Sequence, residues 1–567
     1  MRVIHSANET EGRTEWYAIN WKRANRIVRN LRQRIYRAER EGDYRKVRSL
    51  QKLMLRSYAN TLISVRRVTQ ENAGRMTPGV DKVVVKTPEA RMALVHDLMT
   101  AQPWRAKPTR RVYIPKANGK LRPLGIPTIN DRALQARVKN ALEPQWEARF
   151  EASSYGFRPG RSCHDAIEAI FHLSRPRSRR RWVIDADIKG AFDHIDHQFL
   201  LDAIGKFPGG NLIRQWLKAG YMDDGSMHAT PAGTPQGGVI SPLLANIALH
   251  GMEEALGVRR NARGDHIGGR AMVRYADDFV VFCPTREEAE TGIAILNAWL
   301  AKRGLELSEE KTRIVRLAKG FDFLGFNICL YETRNTKTGS KVLIKPSDDA
   351  EKKLRSRLRT EWRRCIGLNA AAAIARIRPI IVGWANYYRS GVSSKTFNQL
   401  DSWMWTRITQ WMKRAHPSKR WGWRYKRYIG QFHPGRKDRW VFGDKQTGHY
   451  LPKFAWTKIE RHVKVKGTSS PDDARLKLYW GKRGIKSLDI PSSMLKLAKA
   501  QGYRCPVCGE SLANGEEIHR HHVVPRSIGG TDETSNIRLV HLYCHQQAHS
   551  PKGVLTPRAA KQLLRDA

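Results

Sequence analysis

Acidic residues are scarce in this chain. Its 567 residues hold 53 Asp and Glu against 102 Lys and Arg, a formal net charge of +49. Such an excess repels itself unless a polyanion neutralises it. Nucleic acid is the polyanion that fits best, because Lys and Arg on phosphates release counterions and drive affinity. A merely basic soluble surface is a second reading and an anionic membrane a third. The basic residues are spread along the whole chain rather than gathered in one amphipathic segment, which argues against the membrane. Long apolar runs are missing too: none approaches the roughly 20 residues that a span requires. The opening MRVIHSANETEG lacks the apolar stretch of a signal peptide, so an intracellular location is expected. Cysteine is sparse, at seven residues. Cys163, Cys283, Cys329 and Cys365 are scattered and expected to be reduced and buried, whereas Cys505, Cys508 and Cys544 cluster with metal-ligand spacing. There is no internal repeat and no long low-complexity tract. What is present is 41% hydrophobic residues, enough for several packed cores and too many for a disordered chain. The length allows about three to five domains.

Residues 16–72 read as a basic helical hairpin, with apolar positions at Ile27, Leu31, Ile35, Leu50, Leu53 and Leu62. Met76-Thr-Pro-Gly-Val-Asp81 reads as a turn and a boundary. From about 105 to 330 short strands mix with helices: Val112 to Ile114, Trp182 to Ile184, and residues 272–282 as strand, tight turn, strand. Three helices are predicted at 348–366, 370–389 and 396–416, stopped by Pro417. Residues 417–490 show no period and read as an irregular basic module or linker, and 496–567 as a compact Cys/His-rich unit.

Two features carry phosphate chemistry. Asp187 ends an apolar strand, and ninety residues later Asp277 and Asp278 occupy the tip of an apolar hairpin, Tyr275-Ala-Asp-Asp. Adjacent carboxylates between hydrophobic strands are costly unless paired or bound to cations. Transfer of a nucleotidyl group calls for such an array, since two Mg²⁺ ions held by carboxylates clamp the attacking and leaving oxygens. The plain alternative is a solvated turn, where Asp is common. A glycine-rich loop, GTPQGGVISP at 233–242, precedes a helix carrying Asn246 and lets backbone approach a nucleotide or template closely. Basic turns flank it at Lys116, Gly119-Lys120-Leu-Arg122 and Ser154-Tyr-Gly-Phe-Arg158-Pro-Gly-Arg161.

Together YADD, GTPQGGVISP, SYGFRPGRS, LSEEKT (307–312), FDFLGF (321–326) and GWANYYR (383–389) resemble the group II intron-encoded reverse transcriptases, or maturases, from about residue 16 to 420. The resemblance implies a right-hand polymerase, with fingers and palm at 76–330 behind a basic helical N-terminal extension at 1–75. It makes Asp187, Asp277 and Asp278 the ligands of two Mg²⁺ ions. Phe192 would be the aromatic gate that excludes a ribose 2′-hydroxyl, so that dNTPs are the substrates. Lys120 and Arg122 would grip the triphosphate, Gln236 would lie near nucleotide and template, and Lys311 near the leaving pyrophosphate. Phe323 to Phe326 match the primer grip. The helices of 331–417 would be the α-helical thumb, or X, maturase domain. There Trp403, Trp405 and Trp411 are expected mostly in the core, with Arg407, Lys413 and Arg414 the better candidates for RNA contact.

In the C-terminal unit, Cys505, Cys508, His541 and Cys544 make a CxxC and a later HxxC, four ligands suited to structural Zn²⁺ in a domain too small for a thick core. His521, His522, Asn536, His545 and His549 are left over, the last two histidines four apart and so on one helix face. The set resembles the HNH endonuclease fold, a ββα-metal motif at 496–567. By that resemblance His522 is the general base, His521, His545 and His549 hold a divalent ion (Mg²⁺ or Mn²⁺), and Asn536 orients the loop bearing His522. His541 stands where many such domains have a fourth cysteine. A set of purely structural zinc sites is the simpler alternative.

The expected fold is therefore a multidomain α+β chain: fingers and palm, helical thumb, a basic DNA-binding region at 418–495, and the HNH unit. The implied partners are the chain's own intron RNA and a double-stranded DNA target, with no membrane. The implied setting is the bacterial cytoplasm at the nucleoid, an organelle being the other possibility. A domesticated or defence-associated reverse transcriptase and a splicing-only RNA-binding maturase are the rivals. The intact HNH residues weigh against the first and the complete aspartate set against the second.

Overall fold

The computed structural model describes residues 15–100, 104–115, 119, 121–261, 264–486, 492–514, 516–526 and 529–549. Lys116 and Lys120 lie outside the described residues.

Helices Trp21–Arg40, Tyr44–Arg56 and Tyr58–Arg66 open the fold. Each is started by a side-chain cap: Asn20, Asp43 and Ser57 accept the backbone N–H of Arg23, Lys46 and Asn60. The expected hairpin is thus three helices, the last running into a wider turn at Arg67–Glu71. In the second helix the buried stripe is Val47, Leu50, Gln51 and Met54. Leu53, expected to face inward, is 51% exposed because it lies about 100° off that stripe. All three helices pack on Ile129–Glu147, which is buried on most sides and contains Pro144.

A four-stranded sheet, all antiparallel, occupies the centre: Arg313–Arg316, Trp182–Asp187, Asp278–Cys283 and Ala271–Tyr275, in that order. Successive strand residues point to opposite faces, and the two faces enter different cores. Ile184, Ala186, Met272, Phe279 and Val281 join the N-terminal helices. Val183, Val273, Val280 and Phe282 join the helices that follow residue 347. A second sheet pairs Thr109–Pro115 with Leu121–Ile126, Arg110 opposite Ile126, and continues through Tyr221–Asp223 and Ser226–His228. A third joins Phe321–Phe323, Phe326–Glu332 and Ser340–Pro346.

The predicted helices appear as Asp348–Arg364, Ala370–Tyr388 and Ser394–Ala415. Trp411 is buried and donates Nε1–H to Cys365 O at 2.9 Å, whereas the half-buried Trp403 lies beneath the guanidiniums of Arg355, Arg359 and Arg407. Lys413 and Arg414 are exposed.

The stretch after Pro417 is more ordered than its sequence announces. It forms helix Trp421–Tyr428, a short strand pair Ile429–Gly430 with Val441–Phe442, and helix Lys477–Lys486. It is fastened down along its length. Phe442 meets Trp362 and Trp411, and Asp401 accepts the N–H groups of Phe454 and Ala455. Further on, the fully buried Asp165 accepts from the His462 ring at 3.0 Å, Val465 N–H at 2.8 Å and Arg483 at 2.8 Å.

Of the scattered cysteines, Cys283, Cys329 and Cys365 are buried free thiols as expected. Cys163, the first residue of helix Cys163–Leu173, is only half-buried, contrary to expectation. The C-terminal unit consists of helix Ser492–Ala500, antiparallel strands Ile518–His522 and Ile537–His541, and helix Leu542–Ala548. Among the described residues no helix is long and apolar enough to cross a membrane.

Candidate active sites

Strand register assembles the first site. Asp187 ends its strand directly opposite Asp278, and Tyr275 pairs with Asp278 to close a two-residue turn, Ala276-Asp277. Ala276 sits at φ 61°, a left-handed conformation that costs a non-glycine residue about 1–3 kcal/mol and survives only where the surroundings enforce it. Those surroundings are visible. Arg274, fully buried, donates through Nη1 to Ala276 O and to Asn246 Oδ1, both at 3.1 Å. Asn246 in turn donates to Gly156 O at 2.8 Å, and Tyr155 N–H bonds Arg274 O at 2.9 Å. Gly156 lies so close that a Cβ there would stand 2.3 Å from Ala276 N. SYGFRPGRS is therefore the floor on which the aspartate turn rests. Sequence reasoning missed Arg274 and the reason for Gly156. The signal was an arginine in the middle of an apolar strand.

The segment 306–312 is laid beside Asp187: Ser308 N–H bonds Asp187 O at 2.9 Å, and a turn closed by Lys311 N–H and Thr312 N–H on Ser308 O aims Lys311 back. Its ammonium is ion-paired with Asp187, and that pairing raises the Lys311 pKa. Asp277 is raised from the ordinary range by burial, then by Asp187, against the opposing pull of Arg122 and Lys311. Asp278 keeps solvent contact, yet the enclosing protein, then Asp277 and Asp187, push it up to about 7. Carboxylates so crowded hold an excess of negative charge that a cation relieves; Lys311 is the cation on Asp187 here.

The glycine-rich loop brings Gln236 and Phe192 to the same place. Thr234 N–H bonds Phe192 O at 2.6 Å, and Gln236 Nε2 donates to Asp193 Oδ2 at 3.0 Å. Gly233, at φ 85°, lies where a Cβ would sit 2.5 Å from Asp193 O. Gly125 N–H bonds Gln236 O at 2.8 Å, which ties the loop to the strand carrying the exposed Arg122. The half-buried Phe192 ring meets Phe157 edge-on at 6.2 Å. Phe323 and Phe326 flank a tight turn through Leu324 (φ 48°) and Gly325 (φ 80°), and Tyr387 donates its hydroxyl to Leu324 O at 2.9 Å.

The second site contains two ligand clusters, the two groups among the described residues whose donor atoms all lie within 4.8 Å of one another. One is Cys505, Cys508, His541 and Cys544, all buried. His541 turns Nδ1 to Cys508 Sγ at 3.3 Å, while Nε2–H donates to Ser511 O at 3.2 Å, which fixes the tautomer a metal ligand needs. The Cys505 thiol is held far below the usual thiol range by hydrogen bonds from Cys508 and Cys544. The other cluster is His521, His545 and His549. Burial, then His545 and His549, push His521 down to about 4, so it is a neutral imidazole at pH 7. Its buried Nδ1 has no hydrogen-bond partner, and the His545 and His549 Nε2 atoms face each other at 3.1 Å. Both clusters fit a metal ion.

His522 stands beside the second cluster, with Nε2 on Asp532 Oδ1 at 2.7 Å. Asp532 is also paired with Arg526; sequence reasoning named neither. Asn536 fastens the loop after His522, since its Oδ1 accepts from Val524 N–H at 2.7 Å and its Nδ2 donates to Val524 O and Thr531 O at 3.0 and 2.8 Å.

Family models match four stretches: the N-terminal domain of reverse transcriptase at 16–98, reverse transcriptase (RNA-dependent DNA polymerase) at 114–328, the group II intron maturase-specific domain at 351–429, and HNH endonuclease at 505–551. Over 333 residues the chain is 32% identical to Group II intron-encoded protein LtrA of Lactococcus lactis subsp. cremoris, covering 48% of this chain and 55% of LtrA. It is 37% identical over 315 residues to Protein YkfC of Escherichia coli (strain K12), covering 48% of this chain and 81% of that protein. The chain belongs to the group II intron-encoded reverse transcriptases. This group II intron-type protein joins reverse transcriptase, maturase and HNH endonuclease domains in one polypeptide, and so carries the domains of two enzymes. Its match to LtrA spans about half of that protein's length. A telomerase structure from Candida albicans, in complex with a fragment of telomeric RNA, aligns over 55% of this chain and 60% of that one at TM-score 0.31 and 12% identity.

Proposed function

We propose that this protein copies the RNA of its own group II intron into DNA, assists the splicing of that RNA, and cuts the second strand of a double-stranded DNA target. The observation that carries the reading is the aspartate hairpin: Asp187 in register with Asp278, Asp277 at the tip, and Lys311 already compensating their charge. In the right-hand reading the central sheet is the palm. The sheet bearing Arg122, with the helices packed around Ile129–Glu147, makes the fingers, and the three helices after residue 347 make the thumb.

Asp187, Asp277 and Asp278 would hold two Mg²⁺ ions, which supply the positive charge that phosphoryl transfer demands. Lys311 then becomes available to the departing pyrophosphate, and Arg122 to the triphosphate of the incoming dNTP. Phe192, held by the glycine-rich loop, presents an aromatic edge to the sugar and selects against a 2′-hydroxyl. Gln236, fixed through its carbonyl to Gly125, steadies the loop against the template.

In the HNH unit a divalent ion, Mg²⁺ or Mn²⁺, on His521, His545 and His549 would stabilise charge at the scissile phosphate. Asp532 accepts Nε2–H of His522, which leaves Nδ1 as the lone-pair nitrogen that takes a proton from water. Asn536 keeps the following loop in place. Zn²⁺ on Cys505, Cys508, His541 and Cys544 would be structural. The basic stretch 418–495 is the surface for target DNA, and the cytoplasm, at the nucleoid, is the setting.

The test is Asp277→Asn in primer extension on an RNA template. The expected outcome is loss of cDNA synthesis with RNA affinity unchanged; retained synthesis would remove the aspartates from the reaction.

A further inference from the structure

The thiolate cluster does not stand apart from the polymerase. Arg66, the last residue of helix Tyr58–Arg66, reaches Cys544 Sγ through Nη2 at 3.2 Å while only 4% exposed. Its Nε pairs with Glu71 at 3.2 Å, Nη2 lies 3.6 Å from Glu516, and its guanidinium covers the Trp21 ring at 4.7 Å. Around this contact the first helix grips the same turn: Asn25 Nδ2 donates to Cys508 O at 3.0 Å, and Arg29 is paired with Glu510. From the other side Gln547 donates to Tyr17 O and Ile19 O at 2.7 and 3.0 Å. Cys505, Cys508 and Cys544 share one apolar core with Trp21, Val28 and Leu62. The contacts that join the first helices to the C-terminal unit link residues more than 400 positions apart in the chain.

The charges explain the arrangement. Three thiolates and a neutral imidazole around Zn²⁺ leave a net charge of about −1. A buried negative charge is expensive unless paired, and so is a buried guanidinium. Glu71 and Glu516 add negative charge to the same spot, and among the described residues Arg66 is the cation hydrogen-bonded to a member of the ligand set. We propose that the thiolate centre is a joint between nuclease and polymerase, its charge offset in part across the interface by Arg66, so that zinc retention depends on the N-terminal helices and their order depends on zinc. The inference rests on the zinc assignment. Through this centre the nuclease is docked on the helical platform of the polymerase.

The test uses the full-length, zinc-loaded protein without nucleic acid. Zinc content is measured first, then zinc release to a colorimetric chelator, then backbone amide exchange in residues 21–66 before and after release. Arg66→Met is expected to bind zinc about ten- to a hundred-fold more weakly, the range for loss of a partner that touches a metal ligand, and so to release it faster, with Arg66→Lys in between. Release at the wild-type rate from Arg66→Met would overturn the joint. Should that variant not fold, the rim pair serves: Arg29→Glu and Glu510→Arg should each speed release and the double reversal restore it, whereas unchanged rates in both singles would overturn the proposal. Loss of amide protection in residues 21–66 after zinc removal is expected, and unchanged protection would contradict it. A protein that binds no zinc would sink the zinc assignment as well; normal zinc content with equal release rates sinks the joint alone.

Discussion

Gly156→Ala adds one methyl group 2.3 Å from Ala276 N, 2.9 Å from Tyr275 C and 3.0 Å from Ala276 Cα. Ordinary contact begins near 3.4 Å, so the two backbones must part by about 1 Å. Gly156 cannot move cheaply, because Asn246 holds its carbonyl at 2.8 Å and Tyr155 N–H is bonded to Arg274 O. The displacement therefore falls on the Ala276-Asp277-Asp278 turn, whose backbone is already in a left-handed conformation at Ala276. A misplacement of about 1 Å at a reacting centre costs roughly a hundred-fold in rate. Single-turnover primer extension at saturating Mg²⁺ and dNTP should show that loss, while DNA nicking, which takes place in another domain, continues at its original rate. Wild-type extension by a normally folded Gly156→Ala protein would refute the claim that SYGFRPGRS positions the aspartates.

Burial alone would raise the Asp165 carboxyl, but His462, Arg483 and Val465 N–H outweigh it and hold it down at about 2. The resulting stability, about 2 kcal/mol, is complete above the ordinary value of 3.8 and is lost as pH falls through about 2. Asp165→Asn should lose a similar amount at pH 7 in denaturant melts and flatten the acid limb of the stability curve. Replacement of His522 by Ala should cut nicking by about a hundred-fold or more and leave primer extension intact; an equal loss of both activities would show that the two sites are not independent. RNA affinity should fall by about a thousand-fold or more between 50 and 200 mM salt, as about six to ten phosphate contacts require. Filter binding across that range checks it, and a flat response would contradict the role assigned to the +49 charge.

Short-range pattern made much of this molecule readable. The aspartate hairpin at 272–282, the helices after residue 347 and the shared face of His545 and His549 all follow from periodicities of two or 3.6 residues, and the structure contains them. Contacts between distant segments left no such trace. Residues 417–490 looked irregular because their order comes from elsewhere: Asp165 binds His462 and Arg483 across some 300 residues, and Phe442 completes a cluster begun by Trp362. Arg66 reads as one more basic residue until Cys544 is seen beside it. Arg274 reads as an anomaly in an apolar strand until its two carbonyl acceptors, Ala276 O and Asn246 Oδ1, appear. Leu53 misled because apolar identity was taken for inward direction, whereas Gln51 holds that inner position and bonds Gln145 at 2.7 Å.

The most direct test of the central claim is the RNA that the protein carries. The protein is purified from its native host without nuclease, and the bound RNA is sequenced. One dominant structured RNA, whose parent gene encloses this reading frame, is the expected result. A heterogeneous mixture, or an unrelated small RNA, would contradict it and leave a polymerase that serves some other template.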